Sequence, residues 1–295
     1  MFLTIKKWGE GGRFLKSGFR QSFKKPVIVS CRYPTQTVIV CYSMTMSEQR
    51  KHMSYSSLST WQECGWKYYL TRVEGVQEGH AVWFTGGTAV HLATEYYDKA
   101  GSLSLEHPYL DEIWNKAWFE TVEADEAIHG DMQNWKYAKR EDMTWWYGEG
   151  RMMLENWAKL RNKGWSVYED FVEKAYDIPL DDTSVKMAID RVMVDFDGNR
   201  VLVDIKTGAS SQKHPLQLAV YAWALQKQGV TVDKAGFWEA RTGTFSMWNL
   251  NHLHAERVED IFHMFDQARQ HTIYMPNLSN CGRCDVISSC KWLNN

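Results

Sequence analysis

Two aspartates and a lysine fall at the ends of neighbouring predicted strands. Asp204 and Lys206 stand two residues apart at the end of an apolar strand, so their side chains project from one face. A turn at 197–199 predicts a hairpin that sets Asp190 opposite Ile205, within one residue of Asp204. Carboxylates this close repel each other, and a divalent cation that polarises a phosphate and activates a water is the usual compensation.

Lys206 would stand beside that cation, where its amine could orient or deprotonate the water or stabilise charge on the phosphate. The same residues are also compatible with a simpler interpretation, in which charges at a strand edge form a weak ion pair. Two predicted helices carry further polar groups one turn apart, namely His91 with Glu95 and Gln217 with Tyr221.

Four cysteines form a second candidate site. Cys281 and Cys284 make a CxxC pair, Cys290 follows six residues later, and Cys64 lies more than 200 residues upstream. Four thiolates can hold a 4Fe–4S cluster or a zinc ion. Zinc sites more often consist of two short pairs, and free thiols or disulfides are a further alternative.

The elements that must position these residues follow from hydrophobic periodicity and turn residues. The resulting order of helices, hairpin, helix, hairpin and helix predicts a mixed α/β fold. Helices are predicted over Ser54–Thr71, Gly87–Lys99, two stretches within 104–163, Pro215–Gly229 and 255–271; strands are predicted over Phe171–Leu180, Val185–Val194, Val201–Ile205, 232–240 and 243–250.

Composition and charge exclude several classes of protein. With 44% hydrophobic and 24% charged residues among 295, the chain has an ordinary globular composition, and the lack of an apolar run of about 18 residues argues against a membrane-spanning helix. Residues 1–45 carry a net charge of +7, so the remaining 250 carry −9 of the overall −2. An acidic body argues against a protein that coats nucleic acid through bulk charge.

Six cysteines are few for this length and favour a reducing compartment. Cys31 and Cys41, which lie in the basic extension, are expected to be ordinary thiols. We predict that residues 1–45 lack stable structure and that 46–295 form one domain with a helical insertion at 102–165.

With these residues in place, the sequence resembles the PD-(D/E)XK nuclease superfamily, and in particular its RecB-type exonuclease branch. The proline that gives the superfamily its name is absent before the metal aspartate. The matching segments occur in the family's order: Gly86-Gly87-Thr88-Ala89-Val90-His91, then Ile189-Asp190-Arg191, then Val203-Asp204-Ile205-Lys206-Thr207-Gly208, then Gln217-Leu218-Ala219-Val220-Tyr221.

The resemblance implies a restriction-endonuclease-like core, a central mixed sheet flanked by helices. It implies that His91, Asp190 and Asp204 bind Mg²⁺ or Mn²⁺ together with the Ile205 carbonyl. Lys206 would then be catalytic, and Gln217 and Tyr221 would position the DNA strand or the lysine. Glu173, on the preceding strand, is a weaker candidate for the same site.

The spacing of Cys64 and the 281–290 triplet is similar to that of iron–sulfur nucleases related to AddB and to the CRISPR-associated exonucleases. In those proteins a 4Fe–4S cluster ties an N-terminal helix to the C-terminal tail, and this implies a C-terminal iron–sulfur tail in the present chain. Such a link between distant segments would remove much of the entropy of the unfolded chain.

The predicted function is metal-dependent DNA exonuclease activity in replication, recombination or repair, in the cytoplasm of a bacterium or a phage-infected cell. Its partner would be DNA with single-stranded character or free ends, and no membrane. The alternatives are a non-catalytic DNA-binding or adaptor protein with the same fold, and a zinc-stapled interaction module.

Tryptophans in the helical insertion offer a surface on which bases of single-stranded DNA could stack. Such tryptophans more often belong to a helix core, and both interpretations are carried forward. The aromatic residues are Trp135, Trp145 and Trp146, and the basic residues interleaved with them are Lys136, Lys139 and Arg140.

Overall fold

A six-stranded mixed sheet forms the centre of the fold. The computed structural model describes residues 52–77, 79–101, 103–208, 214–249 and 255–293, so the predictions for residues 1–45, including Cys31 and Cys41, lie outside the described residues. The strands run in the order β1-β3-β4-β5-β6, with β2 also paired to β3. They are β1 (His52–Met53), β2 (Ser166–Leu180), β3 (Thr183–Val194), β4 (Arg200–Lys206), β5 (Lys234–Glu239) and β6 (Thr244–Trp248).

Seven α-helices among the described residues flank this sheet. They are α1 (Tyr55–Glu63), α2 (Gly65–Tyr68), α3 (Val82–Lys99), α4 (His107–His129), α5 (Met143–Asn162), α6 (Pro215–Lys227) and α7 (Ala255–Gln270). A π-helical turn follows α2 at Tyr69–Val73, and short 3₁₀ turns lie at Met132–Asn134, Leu278–Arg283 and Ile287–Ser289. None of the described helices is both long and apolar enough to cross a membrane.

Apolar side chains fill both faces of the sheet, which confirms the predicted mixed α/β sheet between helices. On β4, Val201, Val203 and Ile205 face the cluster formed with α3, α4 and α5. Leu202 faces the opposite cluster, which includes α6 and α7. Because β4 is buried on both faces, the polar residues at its end are held by a rigid central strand.

Two sequence predictions about local structure need correction. The helix predicted over Ser54–Thr71 is interrupted at Cys64, whose extended backbone (φ −163°, ψ 112°) ends α1, while its sulfur accepts the Lys67 N–H at the start of α2. The hairpin register is also displaced by one residue. Arg191 pairs with Val203, so continuing the register sets Asp190 opposite Asp204 rather than Ile205.

Candidate active site

The predicted polar residues converge where β3 and β4 meet helices α3 and α6. Asp190 comes from β3, and Asp204 and Lys206 come from the end of β4. His91 projects from α3, and Gln217 and Tyr221 project from the first two turns of α6. The six residues are distributed over four elements, so the sheet and both of its flanking layers are needed to assemble the group.

His91, Glu173 and Asp190 form a compact set of ligand atoms. The Nδ1 of His91 lies 3.2 Å from Glu173 Oε1 and 3.7 Å from Asp190 Oδ1. One donor atom from each of the three residues lies within 4.8 Å of the others. The remaining oxygen of Asp190 accepts the backbone N–H of Ile205 at 2.7 Å, which fixes the carboxylate beside the end of β4.

Asp204, Lys206, Gln217 and Tyr221 form a connected polar chain. Lys206 Nζ donates to Gln217 Oε1 at 2.9 Å, while Gln217 Nε2 donates to Asp204 Oδ1 at 2.8 Å and to Tyr221 Oη at 3.0 Å. These contacts orient the Gln217 amide and hold the Lys206 ammonium next to Asp204. Lys206 Nζ also lies 2.6 Å from Asp204 Oδ2.

A buried arginine network lies behind the carboxylates, and the sequence reasoning missed it. Arg191 has no exposed side-chain surface; it donates to Asp98 at 2.7 Å, to Glu173 Oε1 at 3.0 Å and to Thr94 Oγ1 at 3.0 Å. His91, Thr94 and Asp98 follow one another at i, i+3 and i+7 of α3, so they share a helix face. This helical spacing was the sequence pattern from which the network could have been predicted.

Glu95, which the sequence grouped with His91, instead pairs with Lys99 at 2.5 Å and makes no contact with the candidate site among its described interactions. Its neighbour Thr94 and the more distant Asp98 occupy the inward face of α3. The one-turn spacing therefore identified the correct helix but the wrong companion residue.

Glu173 reaches the site through an irregular stretch of β2. The pairing passes from Val167 with Met193 to Val172 with Arg191, so residues 168–171 form a bulge. Glu173 lies directly opposite Asp190 and has φ 48°, in the left-handed region where a non-glycine residue is strained. Because of this geometry Glu173, which the sequence analysis gave as a weaker candidate, is a direct neighbour of His91 and Asp190.

Burial and the local charges shift the ionisation of this group. Burial raises the pKa of Asp190 to about 7 and also raises the pKa of Asp204. Burial opposes the charge on His91, but the carboxylates of Asp190 and Glu173 outweigh it and raise the His91 pKa to about 9. Without a cation, the group therefore retains a proton on the imidazole at neutral pH.

The chemistry of these donors fits a divalent cation. Three carboxylates and an imidazole converge, and hard cations such as Mg²⁺ and Mn²⁺ prefer carboxylate oxygens. Asp204 Oδ2 is buried, and its partner among the described residues is the Lys206 ammonium at 2.6 Å. One ammonium does not balance the three carboxylates of Glu173, Asp190 and Asp204, and a divalent cation would supply the remaining positive charge.

The four predicted cysteine ligands line one small cavity between α1–α2 and the C-terminal segment. They are Cys64, Cys281, Cys284 and Cys290, and all four are free thiols. The backbone N–H groups of Lys67 and Asn277 approach Cys64 Sγ at 3.5 and 3.3 Å. The structure therefore brings residues together that are more than 200 positions apart in sequence.

Of the two interpretations of the insertion's tryptophans, the stacking surface is wrong for two of the three. Trp135 and Trp146 are buried at 5% and 1% exposure. Trp145 is half-buried against the core, and the guanidinium of Arg241 lies 4.7 Å from its ring centroid. Trp145 and Trp146 on α5 pack into the core formed with α3 and α4, whereas Trp135 packs against His80 and donates to the Gly130 carbonyl. Burial of these rings agrees with the alternative interpretation of the sequence pattern.

A family model for the PD-(D/E)XK nuclease superfamily matches residues 52–291. The chain belongs to the PD-(D/E)XK nuclease superfamily. This match covers every described element and all residues of the candidate active site. As a member of the superfamily, the protein is expected to hydrolyse phosphodiester bonds with the help of a divalent metal.

Two known proteins show partial similarity to this superfamily member. The "Gene 69 protein" of Mycobacterium phage L5 is 26% identical over 277 residues, covering 80% of this chain and 95% of the phage protein. A solved structure titled "Crystal structure of SSO0001" overlaps 44% of this chain and 62% of its own, with a TM-score of 0.29 and 16% identity.

Proposed function

We propose that the protein is a metal-dependent DNA exonuclease whose centre comprises His91, Glu173, Asp190 and Asp204, with Lys206 as the catalytic amine. The observation that carries the proposal is the link between Lys206, Gln217 and Asp204 at the edge of the carboxylate group. A metal-holding group alone would need no partly buried amine fixed beside it. An amine at this position can act on a water or on the phosphate.

The cation, when bound, would polarise the scissile phosphate and lower the pKa of an attacking water. Lys206, held by Gln217 Oε1, would orient that water or balance the charge that develops on the phosphate. Burial raises the pKa of Tyr221, so its hydroxyl stays protonated and continues to accept from Gln217 Nε2. The Ile205 carbonyl, next to the Asp190 hydrogen bond, is the proposed backbone ligand.

We further propose that Cys64, Cys281, Cys284 and Cys290 hold a structural 4Fe–4S cluster. The support for this proposal is that the four cysteines line one cavity although Cys64 is far from the others in sequence. Four thiolates can hold such a cluster, and one remote cysteine with a C-terminal triplet differs from the two short pairs that are usual for zinc. The proposed nuclease domain extends over residues 46–295. The proposal also includes that the enzyme acts on DNA in the cytoplasm during replication, recombination or repair.

The test is degradation of end-labelled DNA in Mg²⁺ or Mn²⁺. Asp204→Ala or Lys206→Ala is expected to abolish degradation, because general acid–base and electrostatic groups contribute about 10²- to 10⁴-fold each. Lys234→Ala is the matched control, since Lys234 forms a comparable 2.8 Å ion pair with Asp195 at the other end of the sheet. Full activity in both active-site variants would refute the assignment, and an inactive wild-type protein that binds DNA would support the non-catalytic alternative.

A further inference from the structure

The first turn of α3 exposes two large aromatic side chains on the helix that carries His91. Phe84 is 58% exposed and Trp83 is 37% exposed. The two ring centroids are 6.0 Å apart, and the Phe84 ring lies at the same distance from His80, which is itself stacked on His129. Phe84 therefore has two neighbouring rings, while more than half of its surface remains open to solvent.

Phe84 shares a helix face with the active-site histidine. Phe84, Thr88 and His91 follow one another at i, i+4 and i+7, and each is at least partly exposed. Seven residues of α-helix span about 10.5 Å. On the same side, a Cβ added at Gly87 would lie 3.0 Å from the hydroxyl of Thr207, the residue that follows Lys206. This face of α3 therefore leads from the aromatic pair to the end of β4.

A basic segment, residues 136–140, is fixed beside the aromatic pair. The Val82 N–H donates to the Lys136 carbonyl at 3.1 Å, and the Lys136 N–H donates to the His80 carbonyl at 2.7 Å. The side chains of Lys136, Lys139 and Arg140 are exposed.

The other end of the basic segment is tied to the active site through Arg241. Arg241 donates to the Thr207 carbonyl at 2.8 Å and pairs with Glu141 at 3.0 Å. Positive charge therefore flanks the path from Phe84 to Lys206, although the body of the protein is acidic overall.

We propose that Phe84, with Trp83 beside it, forms a stacking platform for a base of single-stranded DNA about three nucleotides from the phosphate at the metal centre. The inference rests on the proposed nuclease function and names the substrate form that the site selects. The separation follows from the 10.5 Å along α3 and a rise of about 3.4 Å per stacked nucleotide. Bases within a duplex are already stacked, so the platform favours an unpaired strand, and the basic segment contacts its phosphates.

The experiment measures binding of a fluorescein-labelled oligo(dT) by anisotropy, with Mn²⁺ present and Lys206→Ala as the background that prevents cleavage. Phe84→Ala is expected to weaken binding about tenfold or more, since base–aromatic stacking is lost. Phe84→Leu keeps apolar bulk without an aromatic face and should weaken binding similarly, whereas Phe84→Tyr should retain it. In the otherwise wild-type enzyme, Phe84→Ala should raise KM for single strands while kcat stays unchanged.

Phe119→Ala is the matched control, because Phe119 is 62% exposed on α4, a different helix. Its anisotropy curve should match that of the background protein, and a melting curve for each variant shows that the fold is intact. Equal affinity in Phe84→Ala, full affinity in Phe84→Leu, or no binding of oligo(dT) by the background protein would overturn the inference. Loss of the nuclease assignment would instead appear as unchanged cleavage in Lys206→Ala, so the two failures are distinguishable.

Discussion

The carboxylate group and the cysteine cavity are built in opposite ways. Asp190 and Asp204 project from central strands and are held by hydrogen bonds from Ile205 and Gln217. Cys64 lies at the junction of α1 and α2, where its sulfur accepts two backbone N–H groups at 3.3 and 3.5 Å. Cys281 lies on a short 3₁₀ turn, and Cys284 and Cys290 each follow the end of such a turn. Hydrogen bonds within the protein therefore fix the first site, whereas under our proposal the bound cluster would hold the second site together.

This contrast predicts that replacing one cysteine removes the bound cluster completely and loosens the fold only near the cysteines. Cys64→Ser should lose iron and the visible absorbance of the purified protein, because the remote ligand closes the cavity. Cys41→Ser, in the basic extension, is the control and should retain both. Hydrogen exchange in Cys64→Ser should accelerate at 278–290 more than at 190–206. Equal acceleration in the two segments would contradict the claim that only the cysteine site is held together by its bound group.

Breaking the arginine network should destabilise the carboxylate side strongly. Arg191→Met removes the 2.7 Å partner of the fully buried Asp98, which keeps Arg161 at 2.9 Å as its remaining ion-pair partner among the described residues, and it also removes a 3.0 Å partner of Glu173. Because Asp98 stays paired with Arg161, the expected loss is about 3 kcal/mol, the lower end of the cost of breaking a buried ion pair. Urea unfolding measures the loss. Lys186→Met is the control, since Lys186 and Asp177 are half-exposed and 3.6 Å apart, and its effect should stay below about 1 kcal/mol. Similar losses in the two variants would show that Arg191 has no special structural role.

Glu173 offers a comparison inside one strand, because Glu169 has the same left-handed backbone (φ 51° against 48°) but an exposed side chain. Glu173→Gln should weaken Mn²⁺ binding about 10- to 100-fold, as expected when a residue that orients or supplements metal ligands is lost. Glu169→Gln should leave it unchanged. Titration calorimetry measures the Mn²⁺ affinity of both variants, and equal affinities would show that Glu173 does not contribute to the metal site.

The pH dependence of metal binding should follow the proton on His91. Its pKa of about 9 and the Asp190 pKa of about 7 are both above the ordinary values, so a cation must displace protons to bind. As pH rises from 6 to 9, Mn²⁺ affinity should increase, by about tenfold per pH unit for each proton displaced. Affinity that is flat across this range would mean that His91 and Asp190 do not bind the ion.

Local sequence patterns predicted the strands and helices that carry the candidate site, since each rests on periodicity and turn residues near its own position. The Asp204–Lys206 spacing and the Gln217–Tyr221 spacing each placed two side chains on one face, and the structure joins the two pairs. These patterns depend on neighbours in sequence, which is why they could be interpreted without coordinates.

Features set by contacts between distant segments were missed or misjudged. Arg191 and Asp98 are 93 residues apart, and no local pattern specifies that they pair. The bulge before Glu173 changes which side chain reaches Asp190, and a regular alternation cannot show it. Trp146 is buried where α5 packs against α3 and α4, and Trp135 is buried against His80, so the sequence pattern by itself left both a core and an exposed stacking surface open.

The most direct test of the central claim is one titration that follows both Mn²⁺ occupancy and cleavage of end-labelled DNA. For the wild-type protein, cleavage should be absent in chelator and should rise in step with Mn²⁺ bound at the carboxylate group. For Asp190→Asn, both curves should shift together to much higher Mn²⁺. Cleavage that persists in chelator, or an Asp190→Asn curve identical to that of the wild type, would contradict the account.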